Sequence, residues 1–244
     1  MRKLALFLLT MIFSTFVSAT AQETAPPPKP WASSFGAGLA ATSGNTDTKN
    51  FNLSFTTKYD PKTRFVFKAD ALYLRGDANG QKQVDKAAAD ARGEYSVSDR
   101  TFTFGEVTYL RDPFKDLTYF VAPLAGAGYR IIKSDVRNLT VDGAVGAEAE
   151  SGSTGRSSGG AVKAGQNFDW TISPSSKITE KVTGIWKTSD FADSLYHFDA
   201  GLTTTLAARL DLKVAYVFDY KNRPTVPGIK KGDSALFAAF MVKF

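Results

Sequence analysis

The sole histidine of the chain lies close to residue types that together can form a hydrolytic site. His197 is preceded at short range by Ser189, Asp190, Asp193 and Ser194. A serine nucleophile, a histidine base and an aspartate that orients the base are the groups that activate a hydroxyl for covalent catalysis. This stretch therefore raises the hypothesis of a hydrolase.

The residues adjoining His197 favour a structural role instead. His197 shares its parity with Asp199 and alternates with Tyr196 and Phe198, as expected for the polar side of a strand. No hydrolase signature accompanies it, so we expect no catalytic residue and no enzyme activity. With one histidine and no cysteine, only scattered carboxylates remain as metal ligands, and we expect neither a metal site nor a cofactor.

The N-terminal residues predict export of the chain. Arg2 and Lys3 precede an apolar run and a small-residue end at 19–21, so residues 1–21 have the pattern of a cleaved signal peptide. Residues 22–30 contain three consecutive prolines and predict a short, stiff leader. Without Arg2 and Lys3 the formal charge falls from +6 to +4, which is too small and too scattered to indicate a nucleic-acid partner.

From Trp31 onward the sequence alternates between apolar and polar residues with a period of two. In one segment Phe51, Leu53 and Phe55 alternate with Asn52 and Ser54. Turn-forming residues separate such segments. The pattern predicts twelve strands, at 31–43, 49–60, 64–76, 85–97, 101–110, 118–131, 138–150, 160–173, 177–188, 194–206, 209–219 and 233–244.

Two of these strands are ambiguous. Residues 84–97 are rich in alanine, which suits a helix, yet a period of two describes them better. Residues 101–110 alternate poorly, because Glu106 is in phase with Phe102 and Phe104, and a bulge is one way to reset the phase. The connections near 76–84, 110–117, 150–160 and 219–232 are expected to be longer than those at the other end, with 150–160 a flexible external loop.

Strand length and aromatic placement indicate what covers the apolar faces. Segments of about ten to fourteen residues are long enough to cross a bilayer as tilted strands, and soluble strands are about half as long. Tyr and Trp lie near strand ends, and the chain finishes on an apolar strand and the aromatic residue Phe244. We therefore predict that 31–244 form an all-β, transmembrane, antiparallel up-and-down barrel of about twelve strands. A soluble exported β-sandwich is the alternative.

Several short motifs resemble a known family. Gly44-Asn45-Thr46, Ser98-Asp99-Arg100, Asp112-x-Phe114 and Gly126-x-Gly128-Tyr129 occur in an order similar to that of the salt-induced outer-membrane proteins, a family of unknown function. The resemblance implies a location in the outer membrane of a Gram-negative bacterium and supplies no catalytic residue. It also implies a basic residue between Leu117 and Gly126, where this sequence has none.

The polar parity of the predicted strands carries charges of both signs that would line the lumen. The candidate lumen charges are Lys68, Asp70, Asp90, Arg92, Glu94, Asp142, Glu148, Lys163, Asp169 and Asp199. Two functions compete: a narrow, weakly selective pore for ions or small solutes linked to salt or osmotic stress, and a closed barrel that reinforces the envelope.

Two kinds of partner are expected. The basic stretch with Lys221, Arg223, Lys230 and Lys231 is a candidate contact for lipopolysaccharide phosphates, with an ordinary solvated loop as the alternative. Phe244, at the end of alternating apolar residues, resembles the signal that the barrel-assembly machinery recognises, and it would lie at the periplasmic boundary. The sequence does not define an oligomeric state.

Overall fold

Alternating apolar and polar side chains build twelve antiparallel strands that close into a barrel, which confirms the predicted fold class. The computed structural model describes residues 30–43, 48–78, 81–224, 228 and 230–244. Residues 1–21, the leader up to residue 29 and the Gly44–Thr46 motif lie outside these ranges, so the proposals made for them stay predictions. No helix within the described ranges has the length and apolar content needed to cross a membrane.

Strand order around the barrel follows the chain. The strands are β1 (Trp31–Ser43), β2 (Thr48–Tyr59), β3 (Phe65–Ala78), β4 (Gln81–Ser96), β5 (Thr101–Asp112), β6 (Leu117–Lys133), β7 (Arg137–Gly152), β8 (Gly155–Ser173), β9 (Ser176–Lys187), β10 (Asp190–Ala207), β11 (Leu210–Lys221) and β12 (Gly232–Lys243). The pair Ala37 and Phe240 lies in the β1–β12 ladder that closes the barrel. We call the end where β1 begins and β12 ends the proximal end, and the opposite end the distal end.

Strand β12 shows how side chains divide between the two faces of the wall. Ala235, Phe237, Ala239 and Met241 are buried, whereas Leu236, Phe240 and Val242 on the other parity are each more than half exposed. Because successive side chains of a strand point to opposite faces, the buried set faces the interior and the exposed set faces outward. The outer face of β12 is therefore apolar, and large hydrophobic side chains are exposed on each of the other strands as well. Closure leaves no unpaired sheet edge.

Aromatic side chains lie on the outer face at both ends of the barrel. At the proximal end the rings of Trp31 and Tyr59 are 4.8 Å apart between centroids. At the distal end the indole N–H of Trp186 donates to the hydroxyl of Tyr196 at 3.1 Å. Amphipathic rings at two levels on an apolar exterior form the two girdles typical of membrane-embedded barrels.

The predicted long connections at 76–84 and 150–160 are corrected by the structure. Strand β3 continues to Ala78 and β4 already begins at Gln81. The stretch Glu150–Gly160 is not a flexible loop, because β7 extends to Gly152 and β8 begins at Gly155. Glycine and serine lower β propensity, but the two strands continue to pair to the tip of this hairpin, and Gly155 adopts a φ of 114° there.

Strands β4 and β5 resolve the two ambiguous segments. The alanine-rich segment is a strand, as predicted. The phase of β5 is not reset between residues 101 and 110, because its ladder with β4 runs without a shift from Phe102 to Arg111. Phe102, Phe104 and Glu106 therefore share one parity and are all buried inside the barrel. Aromatic rings and a carboxylate thus occupy the same face of one strand.

Candidate functional site

The centre of the barrel interior contains one arginine that contacts three carboxylates. Arg92 on β4 lies 2.8 Å from Glu94, 2.9 Å from Glu106 and 3.1 Å from Asp142. Its side chain is only 13 % exposed. A planar guanidinium with several fixed donors suits a multidentate role that an ammonium group cannot fill. Arg92 thereby links β4 to β5 and to β7, three strands away around the barrel.

Aromatic rings pack against the same cationic centre. The guanidinium carbon of Arg92 lies 3.5 Å from the centroid of Phe104, and the ammonium of Lys163 lies 5.7 Å from it. Lys163 also pairs with Glu106. A cation above a ring in a desolvated setting gains about 2 kcal/mol. These contacts explain why inward-facing aromatics are stable in a charged interior.

A second group of charges spans the interior between strands that lie far apart in the barrel. Lys181 on β9 pairs with Asp90 on β4 at 3.0 Å, and Thr108 donates to the same carboxylate at 2.7 Å. Strand register places Asp70 beside Asp90 and Asp199 beside Lys181. One lysine thus faces a set of three aspartates, with β4 and β9 five strands apart in the barrel order.

The distal interior holds His197, but not in a catalytic triad. His197 Nδ1 lies 2.8 Å from Asp219, and the same carboxylate pairs with Lys86. The aspartates considered for a hydrolase have other partners: Asp190 pairs with Arg223, and Asp193 pairs with Lys187 at 2.7 Å. The acid that would orient the histidine is therefore supplied by a different strand, as part of an ion-pair network.

Glu150 forms a further distal junction inside the barrel. It accepts hydrogen bonds from Lys187 and Lys221, both at 2.7 Å. Lys221 is only 3 % exposed, so its assignment as a lipopolysaccharide contact is corrected: the side chain faces the interior. Glu148, one inward position below Glu150, is buried and its Oε2 has no hydrogen-bond partner.

A short segment between β5 and β6 folds across the distal mouth. We define residues 113–116 as the mouth strap; it contains the 3-10 turn Pro113–Lys115. Lys115 is 6 % exposed, and its ammonium contacts the Asp233 carboxylate at 3.0 Å and the Asp219 carbonyl at 3.2 Å. These partners are on β12 and β11, six strands away from β6 and β5 in a twelve-strand ring. The strap therefore connects opposite walls.

The other charged residues predicted from the sequence lie in the lumen or at the distal rim. Lys68 pairs with Glu94 at 3.0 Å, and Asp169 pairs with Lys177 at 2.7 Å near the proximal end. Arg223 is exposed, and Lys231 donates to Asn222 at 3.2 Å at the distal rim. Lys230 is also exposed.

Phe244 follows the last residue of β12. Its backbone N–H donates to the Ser33 carbonyl of β1 at 3.0 Å, so the chain end is paired at the proximal rim. Its side chain is 72 % exposed. The residue is thus presented on the outside of the barrel, next to the strand that closes it.

Sequence reasoning missed several residues of the interior network. Glu106 stood out because it shares a parity with two phenylalanines, and that signal correctly marked an unusual position. Lys181 has the inward parity of β9 and was identifiable in the same way as the other lumen charges. Lys115 follows a strand end, where periodicity predicts nothing. Within the described residues, no group of three or more His, Cys, Asp or Glu side chains is arranged to hold a metal ion.

The chain resembles known proteins in sequence. Residues 35–244 match the family described as protein of unknown function DUF481. The chain belongs to the DUF481 family. This DUF481 member is 22 % identical over 211 residues to the uncharacterized protein YdiY of Escherichia coli (strain K12), a match that covers 83 % of this chain and 79 % of that protein. The description salt-induced does not appear in either match.

Solved structures share the fold of this DUF481 member at low sequence identity. The NanC porin is similar with a TM-score of 0.55, 9 % identity and coverage of 85 % of this chain and 98 % of its own. An outer-membrane channel from Pseudomonas putida F1 has a TM-score of 0.52, 12 % identity and coverage of 89 % and 96 %. The translocator domain of NalP from Neisseria meningitidis has a TM-score of 0.51, 10 % identity and coverage of 88 % of each chain. The fold is that of outer-membrane barrels.

Proposed function

We propose that this protein is an integral outer-membrane barrel that forms a narrow channel for small ions. The apolar outer face, the two aromatic levels and strands of 12 to 19 residues fit a bilayer-spanning wall. The porin and channel neighbours support the same class. Because β1 begins and β12 ends at the proximal end, that end faces the periplasm and the distal end faces the cell exterior.

The observation that carries the channel is the charged interior, which continues from one end of the barrel to the other. It runs from the pair Lys243–Asp211 at the proximal end, through the Arg92 cluster, to the Lys86–Asp219 pair at the distal end. A barrel closed by an apolar core would not need charged side chains along its whole length, because each buried charge costs free energy unless it is paired. Hydrated small ions can exchange along paired charges of both signs, whereas larger solutes are excluded.

The distal mouth favours cations in this proposal. Its described inward-facing charges comprise more acids than bases, namely Asp112, Glu148, Glu150, Asp193, Asp219 and Asp233 against Lys86, Lys115, Lys187 and Lys221. Rings of acidic side chains raise the local concentration of cations in a pore. We therefore expect weak cation selectivity.

Planar-bilayer recording tests the channel. The full mature chain, refolded and verified by heat-modifiable gel migration, should give stable unit conductance well below that of a sixteen-stranded porin, which encloses a wider lumen. A reversal potential in a salt gradient then gives the selectivity. Silence from a correctly folded sample would contradict the channel.

A closed envelope barrel is the second candidate, and the cross-lumen contacts favour it. Lys181–Asp90 and Lys115–Asp233 connect walls that are five and six strands apart. Such struts stiffen a barrel and obstruct its lumen. Silent bilayers combined with slower unfolding of the wild type than of a Lys181→Met variant would establish this function instead.

Two further features of the proposal concern stress and partners. A channel or strut in the envelope would affect survival at high salt, so a deletion strain should grow more slowly in sodium chloride than in sucrose of equal osmolarity.

The rim cations Arg223, Lys230 and Lys231 would contact lipopolysaccharide phosphates, and the variant with glutamine at all three positions should co-purify with less lipopolysaccharide. Removal of Phe244 should reduce insertion by the barrel-assembly machinery, measured as the folded fraction in outer-membrane extracts.

A further inference from the structure

We propose that the Lys115 side chain, carried on the mouth strap, gates the distal mouth as a latch. The inference rests on the proposed channel function and names the regulation of that same route. It follows from three observations: the backbone of the strap is anchored to β5, β6 and the β7–β8 turn, the Lys115 side chain reaches across to the far wall, and the acid that it contacts there is accessible to water.

Asp116 anchors the backbone of the strap. Its carboxylate accepts hydrogen bonds from the backbone N–H and the hydroxyl of Ser153, both at 2.8 Å. Gly152 packs so closely that a Cβ there would lie 2.3 Å from the Asp116 carbonyl oxygen. Asp116 also has a positive φ of 57°, which turns the chain into β6. These contacts tie the strap to the neighbouring β7–β8 turn.

The side chain of Lys115 makes the releasable contact. Its two hydrogen bonds, to the Asp233 carboxylate and the Asp219 carbonyl, both come from the same ammonium group. Rotation of this one side chain breaks both contacts together and leaves the strand ladders intact. Lysine suits such a latch, because its strongly hydrated ammonium on a flexible stem is stable in water when released.

Release leaves little uncompensated charge on the far wall. At Asp219 the ammonium of Lys115 contacts the backbone carbonyl, and the carboxylate is paired with Lys86 and His197 whether or not Lys115 is in place. The carboxylate that Lys115 leaves is that of Asp233. Asp233 is 22 % exposed at its side chain, so water can reach it. Because removal of one partner is costly mainly when the other stays buried and unpaired, the open and closed states can be close in free energy.

Single-channel recording separates the latch from other distal lysines. Lys115→Ala should raise the open fraction about tenfold, the effect of losing charge-assisted hydrogen bonds that hold one state. Lys115→Glu should do the same and increase cation selectivity, and adding Asp233→Lys to it should restore closure. Lys82→Ala is the matched control, because Lys82 pairs with Asp85 on the outer face of the same end. Equal open fractions in wild type, Lys115→Ala and Lys115→Glu would overturn the latch while leaving a conducting channel in place.

A labelling experiment tests the gate without relying on conductance. The chain has no cysteine, so Ala88→Cys, at an inward position of β4 below Lys86, introduces a single thiol. Adding Lys115→Ala should accelerate its modification in intact cells by a membrane-impermeant maleimide about tenfold. Adding Lys82→Ala should leave the rate unchanged. Equal rates in all three backgrounds would overturn the gate.

A reversible crosslink provides the complementary test. In the double variant Lys115→Cys and Asp233→Cys, a bifunctional methanethiosulfonate reagent should bridge the two walls and block conductance until a reductant is added. A linker is needed because a direct disulfide requires Cα atoms within about 7 Å, and a lysine–aspartate contact spans more. Conductance that persists in the fully crosslinked protein would contradict the proposal.

Discussion

The guanidinium of Arg92 lies 3.5 Å from the centre of the Phe104 ring while it binds carboxylates on both neighbouring and distant strands. The Arg92 side chain thus contacts one aromatic ring and three carboxylates at the same time. This arrangement lets β5 direct two phenylalanines and a glutamate toward the same interior. The stability of the central barrel should therefore depend on the shape of the Arg92 side chain as well as on its charge.

Arg92→Lys tests this dependence. The lysine keeps the charge but loses the fork geometry, so we expect the free energy of unfolding to fall by about 2 kcal/mol. Arg92→Leu should cost about 3–5 kcal/mol, because it removes the ion pair of the buried Asp142 carboxylate. Urea unfolding of the barrel in lipid vesicles measures both. Equal losses for the two variants would show that the retained charge contributes nothing, and an unchanged stability in Arg92→Lys would show that only charge matters.

Gly128 and Phe102 provide a steric prediction. A Cβ at Gly128 would lie 2.2 Å from the Phe102 ring, so Gly128→Ala should destabilise the barrel by about 1–3 kcal/mol through overpacking. Gly105→Ala is the matched control on the neighbouring strand, because a Cβ there meets no atom within 4 Å. In a Phe102→Ala background the cost of Gly128→Ala should largely vanish, which a double-mutant cycle detects.

The two-residue period of the sequence predicted the strands and their faces, because each side chain of the barrel wall can point only inward or outward. It identified Asp90 and Arg92 as interior residues. It also marked Glu106 as an exception, and explaining that exception required the position of the Phe104 ring. It could not predict which charges meet. Lys181 and Asp90 are 91 positions apart, and their contact depends on barrel closure and side-chain reach.

Connections were harder to predict than strands. Glycine and serine between residues 150 and 160 indicated a loop, but continued pairing with the neighbouring strand outweighed their low propensity. The position of the mouth strap could not be predicted from the sequence either. Its position depends on Lys115 meeting Asp233 across the lumen, a tertiary contact that no local pattern of residues encodes.

The proximal turn makes a pH prediction. The hydrogen bond from Lys58, assisted by Lys62, lowers the pKa of Asp60 from 3.8 to about 2. A lowered pKa in the folded state contributes stability above pH 3.8 that is lost as the pH falls toward 2. Carboxyl NMR should show Asp60 titrating near pH 2, and Lys58→Gln should move the midpoint toward 3.8. A wild-type midpoint at 3.8 would show that the pair does not persist in solution.

Lys181 allows the sharpest comparison between two ion pairs on one strand. Asp70 and Asp90 are directly opposite each other in the β3–β4 ladder, and like charges in that position repel. Lys181 pairs with Asp90 from the far wall, and the two side chains are 32 % and 36 % exposed, so Lys181→Met should remove the direct cationic partner of Asp90 and cost about 1–2 kcal/mol of unfolding free energy. Adding Asp70→Asn removes the repulsion and should recover about 0.5 kcal/mol.

The control for this prediction is Lys177→Met, four residues earlier on β9. Lys177 pairs with Asp169, but both side chains are almost half exposed, so water screens the pair and its loss should cost less than about 1 kcal/mol. Urea unfolding in identical vesicles compares the variants. If the two methionine substitutions cost the same, the cross-lumen contact of Lys181 contributes no more than a surface pair, and the interior at that level is filled with water.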